Sequence, residues 1–158
     1  MKKIILLIIF ISTSVFAVPQ TINNYLKENP TWFTDTPSHN FLSTRCLVLN
    51  TIAYERLKTQ GGEEAKNLAA GYDESRKYFY EFSLLSKQMA QISDEAYEER
   101  MTAWAKIYGD EAISNWNTYN TLWEGDLGDD LMTCNKVLLP KFNEYLEVLD
   151  KAMKEQAL

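Results

Sequence analysis

The sequence predicts an all-α fold: a single-domain bundle of about five helices with one interhelical disulfide. Three observations predict it. Apolar residues recur at spacings of three and four along most of the chain, and no stretch beyond the first residues shows sustained alternation of β-branched side chains. Capping residues and glycines punctuate the periodic stretches. Both cysteines, Cys46 and Cys134, fall on apolar stripes of long predicted helices.

The elements follow in chain order. Lys2 and Lys3 precede an apolar run of eight residues, Ile4 to Ile11, and a short polar stretch then leads to Val15-Phe16-Ala17. This pattern predicts a secretory signal peptide over residues 1–17, cleaved near Ala17, and hence a periplasmic or secreted protein. Its removal would shorten the 158-residue chain to 141 and take the formal charge from −6 to −8, because Lys2 and Lys3 leave with it. Such a length suits one domain. Residues 18–38 read as a short helix, about 21–28, and a connector containing Pro30 and Pro37, with Trp32 and Phe33 pinning it to the core.

Residues 39–158 read as the helical bundle itself. The first long helix runs over about 39–60, capped by Ser38, with Leu42, Cys46, Leu49, Ala53 and Leu57 as its buried stripe and Gly61-Gly62 as its stop. The second starts at Glu63, with the stripe Leu68, Tyr72, Ser75, Phe79, Phe82, Ser86 and Met89. Gly71 lies inside it at a cost of about 1 kcal/mol, which predicts close approach of a neighbouring helix. Ser93 caps a third helix (Tyr97, Met101, Trp104, Tyr108) ended by Gly109. Asp110 caps a fourth, with Ile113, Trp116, Asn120 and Trp123 on one side. Residues 124–130 read as a loop. The last helix begins near Asp130 and carries Leu131, Cys134, Leu138, Phe142, Tyr145, Leu149 and Met153, with a kink or split at Pro140.

Composition narrows the partners. A charge near −8 repels phosphate backbones and anionic lipid, so no nucleic acid is expected. No run beyond the leader approaches the about 18 apolar residues that span a bilayer, so no transmembrane segment is expected after cleavage.

The chemistry on offer is limited. Cys46 and Cys134 serve either a disulfide, which export favours, or a Cys2His metal set with His39, seven positions before Cys46. The single His predicts a surface residue at a helix N-terminus rather than a triad base, and Gly-x-Ser-x-Gly, Cys-x-x-Cys and Cys-x-x-Cys-His are all missing. No cofactor and no metal are predicted. Asp126, Asp129 and Asp130 offer oxygens to a hard cation, but Asp129 or Asp130 as the cap of the last helix explains them with less. Paired carboxylates are the one enzymatic chemistry the composition supplies. Aromatic clusters carry the remaining signal. Trp116 and Trp123 are predicted on one helix face beside the amides of Asn117 and Asn120, a surface for a sugar or small apolar ligand. Tyr78 and Tyr80 fall off the stripe of their helix and suit a partner surface.

The layout resembles small exported bacterial helical proteins with one cysteine in the first long helix and one near the end, through Arg45-Cys46 and Leu131-Met132-Thr133-Cys134-Asn135. A looser resemblance is to the periplasmic acid-stress chaperones, which are also small, helical and single-disulfide. The expected function is non-enzymatic: binding an envelope protein or a small ligand, in an inhibitor, immunity or stress role. A small carboxylate-dependent hydrolase and an acid-stress chaperone are the alternatives.

Overall fold

The structure, a computed structural model, describes residues 20–156, so the expected leader lies outside the described residues. Helix α1 (Ile22–Glu28) starts where the Thr21 side chain accepts from the Asn24 amide. A single 3₁₀ turn, Trp32–Thr34, links it to α2 (Thr36–Gln60), and α3 (Glu63–Met89) and α4 (Asp94–Tyr119) follow. Helix α5 (Gly125–Thr133) continues through a π turn, Cys134–Leu138, into α6 (Leu139–Gln156). Counting that run as one, the described residues form an all-α bundle of five helices, α1 included, with the expected third and fourth helices joined as α4.

Helix α2 is the axis on which the others pack. Its predicted stripe is buried throughout, but burial does not stop there: every residue from Leu42 to Asn50 is buried. A helix wrapped on all sides must satisfy its polar side chains internally. Thr44 donates to the Asn40 carbonyl at 2.8 Å, Asn50 to the Cys46 carbonyl at 2.8 Å, and Asn40 reaches α3 through the Ser83 carbonyl at 2.9 Å. The helix begins at Thr36 rather than near His39, and its cap is Asp35, which accepts from the Ser38 amide at 2.9 Å and from the Ser38 hydroxyl. Pro37 fits inside the first turn because amides there have no intrahelical partner. The positive φ of Gly61 (69°) and Gly62 (87°) reverses the chain into α3.

A buried charge cluster ties this axis to its neighbours. Arg45 (2% exposed) meets Asp130 (1% exposed) at 2.6 Å. The Tyr108 hydroxyl accepts from Arg45 Nε at 2.8 Å and donates to Asp130 Oδ2 at 2.6 Å. Burial pushes the Tyr108 hydroxyl far up, so it stays protonated and able to donate. Asp130 Oδ1 also accepts the Ile22 amide at 2.6 Å, and Arg45 Nη1 donates to the Gln20 carbonyl at 2.9 Å. Trp104 covers the guanidinium, 4.3 Å from its ring centroid. Four helices, α1, α2, α4 and α5, thus meet at one ion pair. The Cys46–Cys134 disulfide lies beside it, both residues fully buried, and joins α2 to the π turn. With the two sulfurs bonded to each other, the Cys2His metal set is excluded.

Five further expectations are corrected. Gly109 does not end a helix: α4 runs through it to Asn120, whose left-handed φ of 55° makes the C-cap. Packing of Tyr108 and Ala112 offsets the glycine penalty, and Asp110, expected as a cap, pairs with Lys106 at 2.7 Å. Residues 125–130, expected as a loop, are the first turns of α5, and neither Asp129 nor Asp130 caps that helix. The cap comes from α4: Glu111 accepts the Leu127 amide at 2.9 Å, and burial raises the Glu111 carboxyl above its ordinary range. Gly71 has no close neighbour; a Cβ there meets nothing within 4 Å. The obligatory close approach is at Gly128, where a Cβ would sit 2.2 Å from the Trp123 carbonyl oxygen. Pro140 does not split the helical run, which passes without a break from the π turn into α6. The Leu139 amide bonds back to the Cys134 carbonyl, a wider turn that gives the proline ring room against the preceding carbonyls.

The fifth correction is His39, which is fully buried rather than on the surface. Its ring centroid lies 4.4 Å from Tyr145, 5.6 Å from Phe142 and 5.8 Å from Phe82, with Trp32 and Phe33 also against it. Nε2 donates to the Phe33 carbonyl at 2.8 Å, and Nδ1 has no partner. The histidine is the hub where the 3₁₀ turn, α2, α3 and α6 join.

Two outcomes test these joints. Asp130→Leu leaves Arg45 charged and unpaired and is expected to cost about 3–5 kcal/mol in urea unfolding, whereas the double variant Arg45→Met/Asp130→Leu recovers most of that loss. Burial holds His39 below the ordinary imidazole range, against the opposing effects of the Phe33 carbonyl and the Asp35 carboxylate. The unfolded chain therefore takes up this proton first, near pH 6.5, and the stability that neutral His39 supplies is present above about pH 6.5 and lost as pH falls through the folded value. Melting temperatures between pH 7 and 5 should accordingly fall more steeply for the native protein than for His39→Gln; parallel curves would contradict the assignment.

Candidate functional site

The second half of α2 leaves the core. Beyond Asn50 its residues are only intermittently buried, and here α2 and α4 bound an open groove of about 480 Å³. Ile52, Ala112, Ile113 and Leu122 give it apolar walls, and Gly109, Glu55, Arg56, Thr59, Trp116 and Asn117 complete the lining. Ile113 is 63% exposed and Trp116 36% exposed, so the apolar lining faces solvent rather than core.

Arg56 is the charged centre of this groove. Its guanidinium carbon lies 3.7 Å from the centroid of Trp116, a stacking contact on the ring face. Its Nε is buried and has no hydrogen-bond partner. Glu55, at the rim, is exposed and lies 3.9 Å from Lys58.

The predicted ligand residues divide over separate surfaces. Trp116 and Asn117 line the α2–α4 groove. Trp123 does not share their face, because α4 ends at Tyr119; it stacks on Tyr72 across 6.2 Å and lines a second pocket of about 260 Å³ with Asn135. Asn120 is spent as the C-cap of α4, and the neighbouring Asn115 holds the following loop through the Leu122 and Glu124 carbonyls. Tyr78 is not a free surface side chain: it packs against Phe79 and Phe82, its hydroxyl is buried without a partner, and burial pushes its pKa up to about 12. Tyr80 is exposed on α3. Of the expected ligand residues only Trp116 and Asn117 line this groove, and Arg56 and Gly109 were not among them.

Other chemistry has less support in the geometry. Glu95, Glu98 and Glu99 gather in an open groove along α4, all three exposed. Among the described residues no group of three or more His, Cys, Asp or Glu side chains is placed to hold a metal ion. No described helix is long and apolar enough to cross a membrane.

Gly109 is the unusual feature of the groove. A helix-interior glycine costs about 1 kcal/mol relative to alanine, and no neighbour requires it, since a Cβ there meets nothing within 4 Å. Gly109→Ala is expected to raise stability by about 0.5–1 kcal/mol in thermal or urea unfolding while narrowing the groove. Comparison of the chain with family models, with curated proteins and with solved structures gives no match to any of them.

Proposed function

We propose that this chain is an exported, non-enzymatic helical protein of a bacterial envelope whose α2–α4 groove binds a protein partner. The observation that carries the proposal is the exposed apolar lining of the groove, Ile113 and Trp116, with Arg56 stacked on Trp116 and otherwise unpaired. Trp and Arg side chains around an apolar centre are the residues from which binding hot spots are built. The leader-like opening and the disulfide support export, because such a bond persists in an oxidising compartment. An inhibitor or immunity role fits a small rigid binder of this kind.

His39 supports a second role, that of an acid-stress protein. Acid would place a charge inside the aromatic hub that docks α6 and the 3₁₀ turn, and so loosen that joint. The groups nearest to that charge are Asp35 on the α2 cap, Tyr145 on α6, and Lys141, whose ammonium lies 5.5 Å from the Phe33 ring. Light scattering of a model client at low pH would separate this role from simple partner binding.

Affinity capture from the native envelope tests the main proposal when two matched variants accompany the native chain. Ile113 and Val148 are 63% and 60% exposed, on α4 and α6 respectively, so both tolerate a charge. Ile113→Glu is expected to lose the captured partner and Val148→Glu to retain it. Equal capture by both variants would move the partner surface elsewhere.

A further inference from the structure

Given that the α2–α4 groove is the partner surface, we propose that it recognises a carboxylate standing beside a bulky apolar side chain of the partner protein, and that Arg56 is the group that binds the carboxylate. The other three arginines are already engaged: Arg45 with Asp130, Arg76 with Asp73 and Arg100 with the Asn40 side chain. Arg56 makes no side-chain hydrogen bond or ion pair among the described residues, and its buried Nε lacks an acceptor. The Nη groups, unpaired and not closed off as Nε is, are the donors a ligand reaches, and theirs is the demand for an acceptor that a partner can meet.

The stack on Trp116 fixes how that demand can be met. A guanidinium carries all its N–H groups in its own plane, so contact through one face leaves the donor edge free. At 3.7 Å from the ring centroid, the plane is held in place before anything binds. A fixed planar fork matches the two oxygens of a carboxylate. A single unpaired cation balances one carboxylate, whereas a phosphate dianion would call for a second cation, and among the described residues Arg56 is the one cation lining the groove; Thr59, the one hydroxyl there, already donates to the Arg56 carbonyl at 2.7 Å. Glu55, the one carboxylate among those lining residues, lies 3.9 Å from Lys58.

The apolar half of the ligand follows from the rest of the lining. Gly109 and Ala112 leave room between Ile52, Ile113 and Leu122 for one branched or aromatic side chain. The openness of the groove favours a protein over a free small acid: a small molecule on a surface where Ile113 is 63% exposed would stay largely in water, while a partner surface covers it.

Selection of displayed random heptapeptides on the native protein tests the assignment, with affinities of synthesised winners read by fluorescence anisotropy. The winners are expected to carry Asp or Glu next to Leu, Ile, Phe or Trp. Replacing the peptide acid by its amide should weaken binding to the native protein about tenfold and leave binding to Arg56→Gln unchanged. Arg56→Lys, which keeps the charge but not the fork, should also lose about tenfold. Circular dichroism melts establish that each variant folds, and if Arg56→Gln does not, Arg56→Lys carries the comparison. Winners without an acid, or indifferent to Arg56, overturn the carboxylate assignment alone. Winners indifferent to Ile113→Glu overturn the groove as partner surface, and a selection without winners overturns both. Tighter binding of 4-phenylbutyrate than of any selected peptide overturns the choice of a protein partner.

Discussion

Arg45 and Asp130 meet at 2.6 Å in a place where water does not reach, and much of the bundle is arranged to make that contact tolerable. Removing two charges from water is costly unless their lone pairs and protons are answered by well-placed partners. Here the answers come from Tyr108 on α4, the Ile22 amide at the start of α1 and the Gln20 carbonyl before it, with Trp104 as a lid. These partners come from two further segments, α4 and the start of α1, so each is fixed in register as a condition of the pair. A hydrophobic contact would hold these helices together without specifying their alignment; a hydrogen-bonded ion pair admits one.

The same geometry divides α2 into two working halves. From Leu42 to Asn50 it is enclosed and committed to the core, where Cys46 adds a covalent tie one residue from Arg45. Beyond Asn50 it is released to the surface, and Ile52 and Arg56 face α4 across the groove. The candidate site is therefore rigidly mounted without being part of the hydrophobic core. Binding sites placed on helices of a fixed scaffold lose little order on binding, which favours affinity at a given contact area.

Much of this was legible in the sequence, and what was not has physical causes. Helical periodicity, the Gly61-Gly62 stop and the Ser93 cap follow from local rules, because caps and glycine turns act over a few residues, while the Cys46–Cys134 bridge is legible because the chain has two cysteines, both on apolar stripes. Gly109 was misread as a terminator, since propensity cannot see the packing of Tyr108 and Ala112 that carries the helix through it. Asp130 was misread as a cap because its partner Arg45 is 85 positions away, beyond any local signal. His39 looked like a surface residue for the same reason: its burial is supplied by Phe82 and Tyr145, from α3 and α6. At the candidate site Trp116, Asn117 and Ile113 were visible as helix-face residues, whereas Arg56 acquires meaning only when α2 and α4 are set side by side.

The sequence separation of the core partners bears on how such a chain comes together. The α2–α3 hairpin is local, joined by two glycines, and contacts of that kind form early. Cys46 and Cys134 are 88 positions apart, and the Arg45–Asp130 separation is nearly as long. In a chain that emerges from its N-terminus, the guanidinium of Arg45 stays hydrated and Cys46 stays a thiol until the last third of the molecule arrives. The ion pair and the disulfide join the same two segments, so the register that brings Arg45 onto Asp130 also brings Cys46 onto Cys134. The ion pair acts as the aligning element for the bond, so that one thiol waits for its only correct partner with the register already set.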